Sequence, residues 1–343
     1  MMQAIIFLAV SILILLVLYF FFRDKFNVIA NNRANKTYRC VFADNHIHYL
    51  DFVQKTDGFE NLIKAMDKVG VKKAVIFGMP MVKIWSETDP IHPTYYLESD
   101  ARVYYYSATD YIMAMELLHQ PKSVQKRFFP FICGINPLDQ NAVDQIELLL
   151  KIFPNFWKGI GEIISRHDDL TALTYGESPR ADHPALMRVY QLATHYQLPV
   201  LIHHDISSAY HTDPIYLKEI EHAISANPKT TFIWAHAGIS RRINVPTIID
   251  NMRYMLQTYP NLYLDISWIV LADYIMKNEQ SKMQWIKLFE EFSEHVLIGS
   301  DQVGHWDTYS EEILKYQPLL EALTPETAKK LGGDNILRIL NAN

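Results

Sequence analysis

The sequence predicts an α/β protein, and specifically a (β/α)8 barrel, from two observations. Short apolar runs alternate with amphipathic helical patterns from about residue 41 to the end of the chain, as parallel strands buried on both faces do. About eight such strand–helix units fit into roughly 300 residues, the size of a (β/α)8 barrel. An open doubly wound sheet is the alternative, but no Gly-x-Gly-x-x-Gly follows the first strand.

The predicted elements follow one another with little interruption. The strand segments are 41–48, 74–79, 129–135, 159–163, 200–203, 232–235, 262–266 and 296–300. The helical segments are 58–69, 142–153, 184–196, 216–226, 245–259 and 281–293. Prolines such as Pro199 and Pro260 separate helices from the strands that follow them.

One connection, at about 81–126 after the second strand, is much longer than the others and carries many aromatic residues. Connections of this length in compact domains are usually functional or disordered, and the aromatic content argues against disorder. The sequence leaves two interpretations open: a lid over the mouth of the barrel, or an extra surface helix at 108–118.

The N-terminal segment is unlike the rest of the chain. Residues 4–22 contain no charge and are long enough to cross a bilayer as a helix. No basic residue precedes them, so a membrane anchor is favoured over a cleaved signal peptide. We therefore expect an anchor at 4–22, a tether at 23–36 and the barrel domain at 37–343. Basic residues after the anchor favour a single-pass protein whose barrel domain faces the cytoplasm.

Composition excludes some functions and leaves others open. Of 343 residues, 49% are hydrophobic and 20% are charged, with a net charge of -6, which is ordinary globular usage. No basic stripe is present, so no nucleic-acid partner is expected. Two cysteines, Cys40 and Cys133, do not suggest a disulfide framework. The sequence is compatible with a homo-oligomer but does not indicate one.

Metal-type side chains stand at the ends of the predicted strands. They are His46, His48, Glu162, His203, His236 and Asp301. His46 and His48 are two residues apart in a strand, so both imidazoles project to the same face. The carboxyl ends of barrel strands form the catalytic face. Imidazole nitrogen and carboxylate oxygen suit zinc, with manganese as the alternative, and we expect one or two divalent ions.

Other residues are candidates for roles around that site. Asp44 and His204 are predicted to support the ligands from behind. Arg241, Arg166 and Trp268 follow strands on the same face, where they are predicted to bind a substrate or to form the wall of its pocket. For an arginine the partner would be a carboxylate or phosphate.

The motifs together resemble the amidohydrolase superfamily, over about residues 41–340. Asp44-x-His46-x-His48, Leu201-Ile-His203, Ala235-His236-Ala-Gly238 and Ile298-Gly-Ser-Asp301 resemble its signatures on the first, fifth, sixth and eighth strands. Gly332-Gly-Asp-Asn335-Ile-Leu-Arg338 is similar to the closing helix of the amidohydrolase-related (amidohydrolase 2) branch.

The fourth strand departs from many binuclear members, which have a carboxylated lysine where Gly159-Ile-Gly-Glu162 offers a glutamate, as TatD-like relatives do. Lys158 has the same strand parity as Glu162 but lies about 13 Å lower, at the wrong end of the barrel. We therefore exclude Lys158.

The resemblance implies a metal-dependent hydrolase that attacks a carbonyl of a small molecule in an amide, lactone or ester. Asp301 would accept the proton of the attacking water, and His236 would be a further ligand or would polarise the carbonyl. The alternatives are a decarboxylase of an aromatic or unsaturated acid, a TatD-like phosphoesterase, and a non-catalytic binding scaffold. A nearly complete ligand set argues against the scaffold.

Overall fold

A computed structural model describes residues 39–87 and 89–341, and parallel strands form its centre. The strands are β1 (Ala43–His48), β2 (Lys73–Phe77), β3 (Met81–Lys83), β4 (Val103–Tyr105), β5 (Phe128–Ile132), β6 (Gly159–Ile164), β7 (Val200–His203), β8 (Phe232–Trp234), β9 (Leu262–Asp265), β10 (Val296–Leu297) and β11 (Gln302–Val303). Nine of them join in the order β10-β9-β8-β7-β6-β5-β2-β1-β11, and β3 pairs only with β4. The predicted α/β barrel is confirmed.

The barrel closes through its last strand, which is split in two. β10 pairs in parallel with β9, whereas β11 pairs in parallel with β1. Between the two halves the backbone stays bonded to β1, because Asn45 donates to the Ile298 carbonyl and Asp301 donates to the His46 carbonyl. The predicted strand at 296–300 was therefore too regular. The last strand changes its hydrogen-bonded neighbour from β9 to β1 midway, and Asp301 lies at the point of change.

Helices connect and surround the strands. They are α1 (Gly58–Val69), α2 (Ala108–Leu118), α3 (Lys122–Gln125), α4 (Ala142–Ile152), α5 (Pro184–Tyr196), α6 (Leu217–Ala226), α7 (Ile248–Thr258), α8 (Glu279–Glu291), α9 (Tyr309–Leu314), α10 (Gln317–Ala322), α11 (Pro325–Lys329) and α12 (Asn335–Ile339). Short 3-10 or π turns occupy Thr171–Leu173, Ala235–Gly238, Val270–Ile275, Ser293–His295 and Lys330–Asp334.

Hydrophobic side chains pack on both surfaces of the barrel wall. One large buried cluster lies between the strands and the helices, as the apolar faces of the predicted helices require. A second, smaller cluster fills the barrel interior and includes Val75, Phe131, Leu201, Ile233 and Leu297. These residues fill the interior below the carboxyl ends of the strands.

The long connection after the second strand combines both interpretations. It contains the antiparallel pair β3–β4, and α2 occupies 108–118, the segment predicted as an extra helix. Between β3 and β4 the chain reaches the barrel mouth, where Tyr95 and Tyr96 line the cavity. One part of the connection therefore packs as a helix while another covers the mouth.

The predicted membrane anchor at 4–22 and the tether at 23–36 lie outside the described residues. Within 39–87 and 89–341, none of the helices combines the length and the apolar character that crossing a bilayer requires.

Candidate metal centre

The structure brings all six predicted ligand side chains together at the carboxyl ends of the barrel strands. Asp301 Oδ1 lies 3.2 Å from His46 Nε2 and 3.4 Å from His48 Nε2. A second group of potential ligand atoms belongs to His46, Glu162 and His236, all within 4.8 Å of one another. The cluster is deeply buried; the Asp301 side chain is the most exposed member, at 11%.

Glu162 stands in the middle of the cluster, and its two oxygens face different histidines. Oε2 lies 3.2 Å from His48 Nε2, while Oε1 lies 3.2 Å from His203 Nδ1 and 3.4 Å from His236 Nε2. A carboxylate placed in this way can bind through either oxygen or through both.

Behind each of two histidines stands an acidic side chain that fixes its tautomer. His46 Nδ1 lies 2.7 Å from Asp265 Oδ2, and His203 Nε2 lies 3.1 Å from Asp205 Oδ1. A carboxylate accepts only, and the opposite nitrogen of each imidazole also faces one, Asp301 Oδ1 for His46 and Glu162 Oε1 for His203. When a cation binds on the cluster side, Asp265 and Asp205 would therefore hold the remaining proton on the outer nitrogen. The opposite nitrogen then presents its lone pair to the cluster, which is the form that binds a metal.

The other two histidines are held in the same way by neutral groups. His48 Nδ1 donates to the Gly78 carbonyl at 3.0 Å. His236 Nδ1 lies 2.9 Å from the Ser267 hydroxyl, which gives its own hydrogen to Asp265. The Ser267 oxygen must therefore accept from His236 Nδ1, and His236 Nε2 also offers a lone pair to the cluster.

One buried atom in the cluster has no hydrogen-bond partner among the described residues, and it is a predicted ligand. His46 Nε2 makes no hydrogen bond, although Asp301 Oδ1 is only 3.2 Å away. Buried polar atoms are almost always satisfied, and an unsatisfied one indicates a missing ion or water. Together with the inward nitrogens of the other three histidines and with two carboxylates, this atom fits a divalent cation of the zinc type.

Charge interactions within the cluster outweigh the effect of burial on the pKa values of two of its histidines. Burial alone would lower the pKa of His46, but the charges of Glu162, Asp301 and Asp265 raise it well above its usual value. Burial likewise opposes the increase at His203, where Asp205 and Glu162 raise the pKa to about 9. Without a metal the cluster therefore holds protons, which a bound cation would have to displace.

Backbone geometry is unusual at three residues of the site. His236, Trp268 and Asp301 have φ values of 55°, 61° and 55°, in the left-handed region that side chains with a Cβ rarely adopt. Such conformations cost free energy and collect at functional sites. They explain why the predicted strand ending at residue 235 stops at Trp234, since a left-handed residue cannot continue a strand.

A cavity of about 610 Å³ opens above the cluster. The cluster members His48, Glu162, His203, His236 and Asp301 contribute to its lining. So do Arg241 and Trp268, two of the three residues predicted to contact a substrate. The Trp268 ring centroid lies 5.1 Å from the ring of His236, and Arg241 Cζ lies 4.8 Å from the Trp268 ring. The tryptophan thus stands between the cluster and the arginine.

Arg166 and His204 do not reach this cavity. Arg166 forms two 2.7 Å hydrogen bonds with Glu219 and lies 3.9 Å from the Tyr216 ring. His204 bonds to the Ser165 hydroxyl and the Tyr216 carbonyl on the outer side of the strand. Arg166 follows Glu162 by four residues, but the chain turns its side chain away from the mouth. His204 has the structural role that its strand parity also allows.

Asp44 supports the site through the backbone. It accepts hydrogen bonds from the N–H groups of His46 and Ser300 and from the Tyr309 hydroxyl. It therefore ties the end of β1 to the interrupted last strand. Burial outweighs these hydrogen bonds and raises the pKa of Asp44 to about 6. Lys158, excluded above, is exposed and bonds to the Asn155 carbonyl.

The residues that hold the histidines were not predicted from the sequence. Asp265 ends β9, in the same strand-end position as the predicted ligands, so that pattern could have found it. Asp205 follows His203 by two residues, but its contact requires the loop after β7 to turn back. Nothing in the sequence marks the Gly78 carbonyl, because every residue has one.

This barrel and its cluster define a metal-dependent hydrolase-type enzyme. The chain belongs to the Amidohydrolase family, whose sequence profile matches residues 123–342. No curated protein sequence matches the chain. The likeness of Glu162 to that of TatD-like relatives stays a prediction.

Solved structures share the fold at low identity. An amidohydrolase from Burkholderia multivorans with bound zinc is 12% identical, covers 88% of this chain and 99% of its own, and has a TM-score of 0.55. A probable 2-pyrone-4,6-dicarboxylic acid hydrolase from Acinetobacter baumannii is 12% identical, with coverages of 88% and 99% and a TM-score of 0.54. 2,6-Dihydroxybenzoate decarboxylase from Rhizobium is 12% identical, with coverages of 87% and 98% and a TM-score of 0.50.

Proposed function

We propose that this protein is a metal-dependent hydrolase that uses water to attack a carbonyl, in an amide, lactone or ester, of a small molecule. The observation that carries the proposal is the cluster itself. Four histidines each turn one ring nitrogen towards the cluster, and two carboxylates stand among them, at the floor of a cavity of about 610 Å³. That volume is within the range of small-molecule sites.

The ligands for the metal are His46, His48, Glu162, His203 and Asp301, with His236 as a sixth. A bound zinc-type ion supplies a Lewis acid that makes water a nucleophile near neutral pH and polarises a carbonyl. Because the two oxygens of Glu162 face different histidines, we propose that the cluster would hold two ions and that Glu162 would be a ligand to both.

Asp301 is the proposed general base. Its carboxylate faces the cavity beside His46 and His48, and it is the most exposed member of the cluster. Burial alone would raise the pKa of Asp301, but the neighbouring positive charges lower it. The carboxylate is thus ionised and ready to accept a proton from water and to pass it to the leaving group.

His236 is better suited to bind metal than to polarise the carbonyl. In the neutral form its proton is on Nδ1, where the Ser267 oxygen accepts it, so Nε2 has no hydrogen to donate to a substrate. Of the two roles predicted for His236, we therefore propose the ligand role.

A decarboxylase remains the second candidate because of Arg241. This cation lines the cavity beside Trp268, where it suits an aromatic substrate with a carboxylate group. The decarboxylase from Rhizobium has the same fold, which is compatible with this reaction but does not assign it.

We also propose that residues 4–22 anchor the enzyme in a membrane with the barrel on the cytoplasmic side, and the support for this is the sequence alone. The expected result is that the full chain sediments with membranes and is released by detergent but not by high salt. Release by salt would contradict a spanning anchor.

The deciding experiment measures metal content and product together. Full-length protein purified without chelators is expected to contain about two zinc-type ions per chain, and Glu162→Gln about one. The loaded protein is then assayed against amides, lactones and esters for acid release, and against aryl carboxylates for carbon dioxide. Carbon dioxide without hydrolysis would favour the decarboxylase, and a metal-free, inactive protein would refute both.

A further inference from the structure

Away from the buried cluster, the outer part of the cavity contains an arginine held by two phenols. Arg241 Nη1 donates to the Tyr96 hydroxyl at 2.7 Å, and Nη2 donates to the Tyr95 hydroxyl at 2.6 Å. All three residues line the cavity, as does Trp268. The tyrosines belong to the connection between β3 and β4, whereas Arg241 follows β8, so two separate loops meet here.

This arginine has no carboxylate within hydrogen-bonding distance among the described residues. The nearest one in an ion pair with it, Asp169, lies 3.7 Å from Arg241 Nη1. Asp169 is closer to the neighbouring Arg242, at 2.9 Å, and Asp168 also pairs with Arg242 at 2.7 Å. The two adjacent arginines thus differ in their partners. Arg242 forms close ion pairs with acidic side chains, whereas Arg241 forms its hydrogen bonds with neutral oxygens, so its positive charge is available to an anionic ligand.

The unit formed by Arg241, Tyr95 and Tyr96 is complementary to an anion. Since the phenol oxygens accept from the guanidinium group, what the unit offers to a ligand is O–H and N–H donors and one positive charge. A carboxylate matches the planar guanidinium group and forms stronger, charge-assisted hydrogen bonds than a phenol does. Trp268 gives a flat apolar surface between this unit and the cluster of proposed metal ligands.

A buried lysine holds the segment that carries the tyrosines. Lys83 is 3% exposed, and its ammonium group donates to three backbone carbonyls, those of Tyr96, Ser99 and Ala101, at 2.9, 2.6 and 2.5 Å. All three N–H donors of the group are therefore used within segment 95–101. A buried charge is costly unless it is fully hydrogen-bonded, so this lysine fixes the backbone of the segment.

We propose that Lys83 is a positioning residue that sets Tyr95 and Tyr96 against Arg241, and that these three form a subsite for a carboxylate group of the substrate. The flat part of the substrate lies on Trp268, and its reacting carbonyl reaches the cluster. This substrate class rests on the proposed function, because the subsite and the cluster share one cavity. Segment 95–101 then selects the substrate while the strand ends carry out the reaction.

The first test compares two probes that differ in charge. Benzoate carries a carboxylate on a flat ring, and benzamide has the same shape without the charge. Titration calorimetry on the full chain is expected to show that Arg241→Gln weakens benzoate binding by about 10- to 100-fold, the value of hydrogen bonds to a charged group. Benzamide binding is expected to change little. Arg242→Gln is the matched control and should leave benzoate binding unchanged.

The second test isolates the role of Lys83. Lys83→Met is expected to weaken benzoate binding about tenfold and to have almost no further effect in an Arg241→Gln background, because the two residues act through one subsite. A merely structural effect would persist in the double variant and would refute the positioning role. If Lys83→Met does not fold, Tyr95→Phe combined with Tyr96→Phe tests the same subsite and should also weaken benzoate selectively.

Measurement with and without zinc separates this proposal from the proposed function. If benzoate binds through Arg241 in a chain that takes up no metal, the subsite stands and the hydrolase proposal fails. If a zinc-loaded, active chain binds benzoate equally well after Arg241→Gln, the anion sits on the metal and the subsite proposal is overturned. Absence of benzoate binding, or equal loss of benzoate and benzamide, overturns it as well.

Discussion

The floor and the rim of the cavity are built in different ways. On the floor, the six proposed ligands stand at strand ends and are almost fully buried, and the four histidines among them are held by neighbours such as Asp265 or Ser267. On the rim, Arg241, Tyr95 and Tyr96 come from loops, and Arg241 is partly exposed. The floor is thus suited to bind a metal in fixed geometry, whereas the rim is suited to distinguish substrates.

The two regions differ in how freely their residues can change without loss of the fold. Strand ends are held by backbone ladders and tolerate little movement, while loops vary without loss of the fold. We therefore expect substitutions on the floor to change metal content and turnover, and substitutions on the rim to change substrate affinity.

The largest effect is expected from replacing the first-strand histidines. His46→Ala combined with His48→Ala removes two ligands, so both bound metal and turnover should fall to background. Elemental analysis and an activity assay measure this. His222→Ala, on the exposed side of α6, is the control and should retain both. A double variant with native metal content would show that the floor is not the metal site.

Loss of the proposed base separates chemistry from binding on the floor. Asp301→Asn is expected to lower kcat by about 10²- to 10⁴-fold, the contribution of a general acid–base group, while most of the metal is retained. Single-turnover kinetics with metal analysis measure both quantities. The control Asp307→Asn changes an exposed carboxylate at the cavity edge. Turnover near the parent value in Asp301→Asn would remove it as the base.

Replacement of Asp265, the carboxylate behind His46, should also weaken metal binding, but by less than loss of the two histidines does. Asp265→Asn keeps the shape but loses the charge that fixes the His46 tautomer, and it is expected to weaken metal binding by about 10- to 100-fold. Competition with a chelator of known affinity measures this. The benzoate affinity of the metal-free protein should not change, and a change there would mean that floor and rim are coupled.

The smallest effect is expected from a change of pH, which should alter metal affinity on the floor but not benzoate affinity on the rim. Metal binding must displace protons from histidines such as His203, whose pKa is raised to about 9. Metal affinity should therefore fall as the pH decreases below that value, by up to about tenfold per pH unit for each proton displaced. Arg241 stays charged throughout, so Arg241-dependent benzoate binding should stay nearly constant between about pH 6 and 9. Equal pH profiles of metal affinity and benzoate affinity would contradict the distinction between floor and rim.

Much of the fold could be predicted because local patterns and global structure agree. The apolar runs predicted the barrel strands from β1 to β9 to within a few residues, and helices such as Gly58–Val69 and Pro184–Tyr196 match their predicted bounds. The last strand could not be predicted, because its break depends on a change of hydrogen-bond partner from β9 to β1. No local pattern encodes which strand becomes the neighbour.

The ligands of the candidate site could be found for a related reason. A strand end fixes both the position and the direction of a side chain, so the location of a histidine or carboxylate there can be predicted from the sequence. Loop residues have no such constraint. Arg166 and Arg241 looked equally suited to contact substrate, yet Arg166 pairs with Glu219 and only Arg241 reaches the cavity.

The barrel and the chemical nature of the cluster at its carboxyl end follow from the amino-acid sequence, because periodicity and residue type act locally. Three features depend on how the folded chain packs: which acceptors stand behind the histidines, the position of Glu162 between two sets of them, and the contact of Lys83 with the segment whose tyrosines meet Arg241. These contacts join residues far apart in the chain, for example Lys83 on β3 and Arg241 after β8. Their geometry arises only when the barrel closes and the loops pack over its mouth.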